Sequence, residues 1–170
     1  FVSLYAFHSV PINRFGAYLL YGYSWSEATP KKDITSSEVV SDAKNASFGI
    51  HQDLYRKGNR VGEVYTKFDA KDKTITIISG TNNRDRLRVF TVGGNYTFQR
   101  ENHSTTIKPD VAQGVYAFGA RKRDSFSSRG ARPVFTKFNL TINHHRALPL
   151  HMQMNYKIEG QTASTKLTPQ

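Results

Sequence analysis

The chain has 170 residues, and 24 lysines and arginines against 13 aspartates and glutamates give it a formal net charge of +11. Hydrophobic residues make up 38% and aromatic residues 12% of the sequence, too large a share for a disordered basic tail, so we expect a single folded domain at residues 1–160 with a polar C-terminal tail at residues 161–170. The absence of cysteine excludes disulfides, thiolate zinc sites and thiol nucleophiles.

The opening stretch, residues 1–26, is typical of β-strand structure and not of a membrane helix. It carries one charged side chain, Arg14, among many aromatic residues. Breaks at Pro11 and Gly16 leave no uninterrupted apolar run of about 20 residues, which a helix needs to cross a bilayer. The stretch also lacks the basic start and the small-residue cleavage site of a secretory signal.

The next segment has the features of a helix. Thr35 followed by Glu38 fits a capping box, in which each side chain satisfies a free backbone amide at the helix start. Apolar residues then recur at roughly helical spacing, at Val39, Val40, Ala43, Ala46 and Ile50. We therefore predict one main helix near residues 36–48.

The middle of the sequence changes to a period of two, which predicts strands. Residues 63–68 and 73–78 flank the tetrapeptide Asp69–Asp72, a pattern typical of a hairpin turn. Residues 86–92 and 95–100 flank Gly93 and Gly94, which indicates either a second hairpin or one long strand with a glycine bulge. Residues 115–120 form a further short candidate strand.

The clearest alternation comes late, at residues 134–142 and 150–158, and predicts two half-buried antiparallel strands. Short turns in place of helical crossovers argue against a doubly wound enzyme fold. The predicted fold class is therefore α+β and β-rich: a mostly antiparallel twisted sheet or sandwich of about eight strands with one main helix near residues 36–48.

No catalytic motif is present: the sequence has no nucleotide-binding glycine loop, no H-E-x-x-H and no G-x-S-x-G. His144, His145 and His151 are spaced so that two imidazoles could meet at one metal ion, but the nearest acidic residue in sequence is Glu159. Exposed histidines are therefore the favoured interpretation. We predict a non-enzymatic protein with no catalytic residues, no metal and no cofactor.

The basic residues carry the most functional information. Residues 119–133 are rich in glycine, serine and arginine, which predicts a loop that displays cations able to bind phosphate oxygens. A second set alternates along one predicted strand, so its guanidinium groups share one face. The predicted polyanion-binding residues are Arg121, Lys122, Arg123, Arg129, Arg132, Arg84, Arg86 and Arg88.

The order of the predicted elements resembles one family. A strand at residues 17–24, a helix from Ser36, strands at residues 73–80 and 86–93, and a final pair at residues 138–144 and 151–159 follow one another. This succession is similar to that of rhabdovirus matrix proteins. The chain departs from the animal members because it has no P-P-x-Y or P-T-A-P budding motif.

The resemblance implies a viral structural protein that self-associates into an oligomer or lattice, condenses nucleoprotein-RNA and lies on an anionic lipid surface. It places the protein in the virion and in the host cytoplasm or nucleus, including the inner face of the membrane. The neutral aromatic start then supplies subunit contacts, and the basic remainder binds phosphates. The residues assigned to self-association are Phe1, Tyr5, Phe7, Tyr23 and Trp25.

Two alternatives remain open at this point. A small viral capsid subunit is also strand-rich and basic. A secreted, glycosylated β-sandwich, acting as a binding protein or toxin, would use the four N-x-S/T sequons at Asn45, Asn95, Asn102 and Asn139.

Overall fold

The computed structural model describes residues 2–28, 39–77, 81–120, 134–149 and 152–164. These residues form eight β-strands and no helix, and none of them belongs to a helix long and apolar enough to cross a bilayer. The strands are β1 (Val2–Pro11), β2 (Ala17–Ala28), β3 (Val39–Lys57), β4 (Arg60–Ile77), β5 (Thr81–Arg100), β6 (His103–Gly114), β7 (Thr136–Ala147) and β8 (Gln153–Ala163).

All eight strands belong to one sheet, and their order in space is their order in sequence. Each strand pairs antiparallel with the next, so the chain passes up and down from one edge of the sheet to the other. The fold class predicted from sequence is therefore wrong: the described chain is all-β. The division into a domain at residues 1–160 and a tail stays a prediction.

The predicted main helix is also wrong, because residues 39–48 lie in β3. There, Lys44 lies opposite Trp25 of β2 on one side and Asp72 of β4 on the other. Both neighbours use the backbone hydrogen-bonding groups of β3, and this pairing overrides the local helical spacing. Thr35, Ser36 and Glu38, which supported the prediction, lie outside the described residues.

The predicted turn at Asp69–Asp72 is wrong for a similar reason. β4 runs through the tetrapeptide without a break, and its residues are paired with β3 and β5. β5 likewise continues through Gly93 and Gly94, and it keeps one register with β4 and with β6 on both sides of the pair, so neither a hairpin nor a bulge forms there. Residues 115–120 do not form the expected strand.

The two late strands are present as β7 and β8, although β7 extends to Ala147 and β8 begins only at Gln153. The connection between them is correspondingly shorter than expected. Leu148 donates its backbone N–H to the carbonyl of Met152, which closes the turn.

The two ends of the sheet differ. At one end, short segments join β1 to β2, β3 to β4, β5 to β6 and β7 to β8, and we call this the short-turn end. The turn between β1 and β2 packs closely against β3 at this end. Gly16 in that turn has a left-handed φ of +83°, and a Cβ there would lie 2.8 Å from the Asp53 side chain. Hydrogen bonds to Asp53 also raise the pKa of Arg56 above its ordinary value. The other end, where residues 29–38, 78–80 and 115–135 connect the strands, is the opposite end.

The sheet is one layer, and it lacks an ordinary core. Among the described residues, Val89, Ala112 and Phe135 form the only buried apolar cluster, with Leu87 packed against it. Large apolar side chains are exposed throughout, for example Val92 at 53% and Ile158 at 63% of their full area. A sheet normally buries one face against another layer, so this sheet presents a face whose covering lies outside the described chain.

Candidate functional site: the two faces of the sheet

One face of the sheet collects the apolar side chains. Residues directly opposite each other in an antiparallel pair point to the same side, and Tyr21, Phe48, Phe68 and Phe90 are opposite one another across four strands. Every second residue along each strand continues this surface, which we call the apolar face. Its large side chains include Leu4, Val10, Leu19, Tyr23, Trp25, Ile50, Val64, Val92, Tyr96, Phe98, Ile107, Val111, Phe138, Leu140, Ile142, Tyr156 and Ile158.

An uncharged belt crosses the apolar face. On β5 it runs from Phe90 to Phe98, and the next residues on the same face are Arg88 on one side and Arg100 on the other. At about 3.4 Å per residue this run is roughly 27 Å long. In the described strands, the belt contains no Asp, Glu, Lys or Arg on this face, and charged residues begin at its two margins.

The other side, which we call the polar face, carries charges of both signs and many hydroxyl and amide groups. Asp110 accepts a 2.5 Å hydrogen bond from Asn139, and Lys67 forms an ion pair with Asp69 at 3.1 Å. Its described charged residues are Asp53, Arg56, Glu63, Lys67, Asp69, Lys71, Lys73, Asp85, Lys108, Asp110, Lys137, Lys157 and Glu159.

Glu63 holds four strands together on the polar face. The Tyr18 hydroxyl donates to Glu63 Oε1 at 2.5 Å, and His51 Nδ1 lies 2.7 Å from the same oxygen. Asn95 donates to Oε2 at 3.4 Å. The imidazole ring of His51 also stacks between Tyr18 and Tyr65, with ring centroids 4.9 and 5.2 Å away. This cluster fixes the positions of β2, β3, β4 and β5 close to the short-turn end.

A row of aromatic and imidazole rings lies at the short-turn margin of the apolar face. Phe98, His103, His144 and Tyr156 form a chain of neighbouring rings with centroids 6.0, 6.0 and 6.2 Å apart. Their row crosses four strands, β5 to β8. The result is an amphipathic border between the uncharged belt and the turns.

The opposite margin holds the predicted cluster of Arg84, Arg86 and Arg88. All three lie on the apolar face of β5 and all three contact Asp72, at 3.7, 3.7 and 2.6 Å. Arg88 is buried, and it also donates to the carbonyl of Phe118. The carboxylate of Asp72 therefore forms ion pairs with three guanidinium groups.

The assignment of these three arginines to anion binding stays a prediction. Its other part lies outside the described residues and stays a prediction too: Arg121, Lys122, Arg123, Arg129 and Arg132.

The residues expected to mediate self-association do not form one patch. Tyr5 and Phe7 point to the polar face of β1, whereas Tyr23 and Trp25 point to the apolar face of β2. Trp25 donates a 2.7 Å hydrogen bond to Asp42. Phe1 lies outside the described residues, and the assignment as a whole stays a prediction.

The histidine pair is separated as well. His144 and His145 are neighbours on β7 and therefore point to opposite faces, where they contact Thr105 at 2.9 Å and Asn155 at 2.6 Å. His151 is outside the described residues. Within the described part of the chain, no group of three potential metal ligands comes together.

Sequence reasoning missed the belt and the Glu63 cluster in the central strands. The period of two at residues 63–68 does predict a strand, which is present within β4, and in β3 the apolar Ala46, Phe48 and Ile50 also fall on every second position. Because residues 39–50 fit helical spacing as well, the local pattern alone does not decide between a helix and a strand in β3.

Comparisons with known proteins agree with this architecture. A model of the haemolysin secretion/activation protein family ShlB/FhaC/HecB matches residues 2–170. Among solved structures, the chain is similar to CdiB from Escherichia coli, with a TM-score of 0.83 and 18% sequence identity, over 97% of this chain and 31% of that one. The chain thus spans about a third of the length of that protein. Among curated proteins, no sequence matches it.

These matches overturn the resemblance to rhabdovirus matrix proteins. The structure is a single all-β sheet with one apolar and one polar face, and the family is one of secretion proteins. The expected viral function, the virion and host locations and the expected partners are therefore wrong: a self-assembled lattice, nucleoprotein-RNA and an anionic lipid surface. The capsid and secreted β-sandwich alternatives are not supported either.

Proposed function

Because the chain belongs to the ShlB/FhaC/HecB family of haemolysin secretion/activation proteins, we propose that its sheet is a membrane-embedded wall of a bacterial outer-membrane secretion protein. Members of this family are secretion transporters and not enzymes, so the expectation of a non-enzymatic protein is confirmed. In this proposal the apolar face lies against lipid and the polar face borders the route of a secreted partner protein.

The segregation of the two faces carries the proposal. In a membrane-spanning sheet, apolar residues face the lipid and alternate with polar residues that face away from it. The chain has this pattern in register across eight strands, and its belt of roughly 27 Å along the strand becomes a height of roughly 19–22 Å at the strand tilt of about 35–45° that is usual in such sheets, of the same order as their apolar height of about 25 Å. Each inner strand is paired with a neighbour on both sides, except that the β5–β6 ladder is interrupted at Gly94–Asn95 and Lys108–Pro109, and such pairing suits the absence of water in the bilayer core.

The connections at the two ends of the sheet support one orientation, because two of the three at the opposite end, residues 29–38 and 115–135, are longer than any at the short-turn end; only residues 78–80 are short there. Spanning strands of outer-membrane proteins are joined by short turns on the periplasmic side and by longer connections outside the cell. The short-turn end, with turns such as Gly58–Asn59 and Glu101–Asn102, therefore faces the periplasm in our proposal. β3, β4 and β5, with 19, 18 and 20 residues, are longer than the 9–11 residues that a bilayer needs, and they extend beyond the belt at the opposite end.

The polar face suits the passage of a polypeptide. Its charges have both signs and are interspersed with hydroxyl and amide groups, so a passing chain meets no large field of one sign that would hold it. The Glu63 cluster keeps the wall rigid at the short-turn end, where the secreted protein enters in this orientation.

Cysteine labelling tests the two faces directly, because the chain has no cysteine of its own. We compare Val92→Cys on the apolar face with Thr91→Cys on the polar face, and Ile107→Cys with Lys108→Cys in the same way. In vesicles, a water-soluble maleimide should label the polar-face variants and leave the apolar-face variants unlabelled until detergent and denaturant are added. Equal labelling of Val92→Cys and Thr91→Cys in intact vesicles would contradict the membrane assignment.

Secretion itself provides the second readout. A bulky maleimide attached at Thr91→Cys should lower export of the co-expressed partner protein, because it narrows the route along the polar face. Export that is unchanged by this label would overturn the assigned route even where the labelling pattern supports a membrane-embedded sheet. A lipid-soluble maleimide attached at Val92→Cys is the matched control, and it should leave export unchanged.

A further inference from the structure

A groove opens on the apolar face near its short-turn margin. It has a volume of about 410 Å³ and lies over β4, β5 and β6, where it is lined by Arg60, Tyr96, Phe98, Thr105 and Ile107. Tyr96 and Ile107 are opposite each other within the belt and line one end of the groove, and Arg60 lies at its turn side, opposite Phe98. The groove is therefore apolar at one end and cationic at the other.

A second cation, Arg100, lies next to the cationic end, although it does not line the groove. The guanidinium carbon of Arg60 lies 5.6 Å from the centre of the Phe98 ring, and that of Arg100 lies 5.5 Å from the same centre. Both side chains are exposed, and Lys57 lies opposite Arg60 on the neighbouring strand. Each guanidinium group is thus in cation–π range of Phe98, a ring that lines the groove.

These two arginines differ from the cluster at the opposite margin. Arg84, Arg86 and Arg88 share the carboxylate of Asp72, whereas Arg60 and Arg100 form no ion pair with any residue that the structure describes. Glu101 follows Arg100 in the turn, but no ion pair joins them. Their hydrogen-bond donors are available to an anion that approaches along the apolar face.

We propose that this groove binds one phospholipid molecule, with its phosphate held by Arg60 and Arg100 and an acyl chain lying along Tyr96 and Ile107. Guanidinium groups bind phosphate oxygens with paired, charge-assisted hydrogen bonds, and the apolar end of the groove removes an acyl chain from competing water. The inference rests on the proposed membrane location and adds a defined lipid site to it. The bound lipid fixes the depth of the short-turn margin at the headgroup layer.

The test titrates the full chain, in neutral maltoside micelles, with a soluble short-chain phosphatidylethanolamine and measures its Kd. We expect the double variant Arg60→Gln/Arg100→Gln to bind this lipid about tenfold or more weakly, since two charge-assisted contacts are lost. Lys108→Gln/Lys157→Gln, which removes the same charge from the polar face, should keep the Kd of the parent chain. Circular dichroism checks that each variant is folded.

Two further measurements separate the contribution of the phosphate from that of the acyl chains. A diacylglycerol with the same acyl chains lacks the phosphate and should bind the parent chain as weakly as the phospholipid binds the double variant. Inorganic phosphate should not displace the phospholipid at matched concentration, because it lacks the chain. If Arg60→Gln/Arg100→Gln does not fold, Arg60→Lys/Arg100→Lys keeps the charge but not the planar fork, and its Kd should still rise.

An unchanged Kd in folded variants, or tight binding of the diacylglycerol, would overturn the lipid site. Either result leaves the proposed function standing, since that depends on the cysteine labelling of the two faces. Labelling of Val92→Cys in intact vesicles would instead remove both proposals together.

Discussion

Gly93 is a position on the polar face where an added Cβ would collide with its neighbours. It lies opposite Tyr65, whose ring covers it, and a Cβ at Gly93 would lie 2.5 Å from the Tyr65 hydroxyl and 2.8 Å from the Cβ of Asp110. Glycine at this position lets Tyr65 lie flat on the sheet and stack on His51.

We therefore predict that Gly93→Ala lowers the free energy of unfolding by about 1–3 kcal/mol, because Tyr65 must leave its place. Thermal or denaturant unfolding measures this change. Gly160→Ala is the control, since nothing lies within 4 Å of a Cβ there, and it should be close to neutral. In a Tyr65→Ala background the cost of Gly93→Ala should fall to the part that is due to the Cβ of Asp110, and a cost that does not fall would show that Tyr65 is not a cause.

At the scale of the element, β4 shows how pairing overrides local sequence. Asp69–Asp72 has the composition of a turn, yet Asp69 forms an ion pair with Lys67 and Asp72 one with Arg88 of β5. Asp69 points to the polar face and Asp72 to the apolar face beyond the belt. Both carboxylates form ion pairs within the sheet, so their charges do not prevent the strand from continuing.

β7 offers a test of the two faces within one strand. Leu140 lies in the middle of the belt on the apolar face, and its neighbour Thr141 points to the polar face, opposite Lys108 and Glu159. We predict that Leu140→Lys destabilises the membrane-inserted protein by roughly 2–4 kcal/mol, because the charge is placed near the bilayer midplane.

Thr141→Lys is the matched control and should change stability little, since its side chain reaches the polar face next to Glu159. The measurement is reversible denaturant unfolding in lipid vesicles. If the two lysine variants are equally stable, the apolar face does not contact lipid.

At the scale of the whole molecule, the single tryptophan reports how the sheet lies in the membrane. Trp25 is on the apolar face, opposite Lys44, at the margin where charged residues begin. In vesicles, lipids brominated near the headgroup should quench its fluorescence more strongly than lipids brominated near the chain end, because tryptophan here lies at the interface.

Moving the tryptophan gives the controls. Trp25→Phe/Val92→Trp should reverse the order of quenching, since Val92 lies within the belt, and Trp25→Phe/Thr91→Trp should be quenched by neither lipid. Quenching of Trp25 that is independent of bromine depth would contradict the position of the belt in the bilayer.

The sequence by itself determined the late strands and the absence of catalytic motifs. Phe138, Leu140 and Ile142 alternate with polar residues over a stretch that no competing pattern interrupts, so period two predicts a strand there directly. The sequence alone did not identify the family. Its characteristic feature is one apolar and one polar face across eight strands, and no single segment of the chain shows this.

Only the tertiary structure decided that β3 is a strand, that β4 passes through its turn-like residues, and that Glu63 joins Tyr18, His51 and Asn95. These outcomes depend on pairing between residues 12 to 45 positions apart in the chain. The spacing of residues within one segment carries no information about such distant partners. The hydrogen bonds and side-chain contacts that these partners supply outweigh the modest local preference for a helix or a turn.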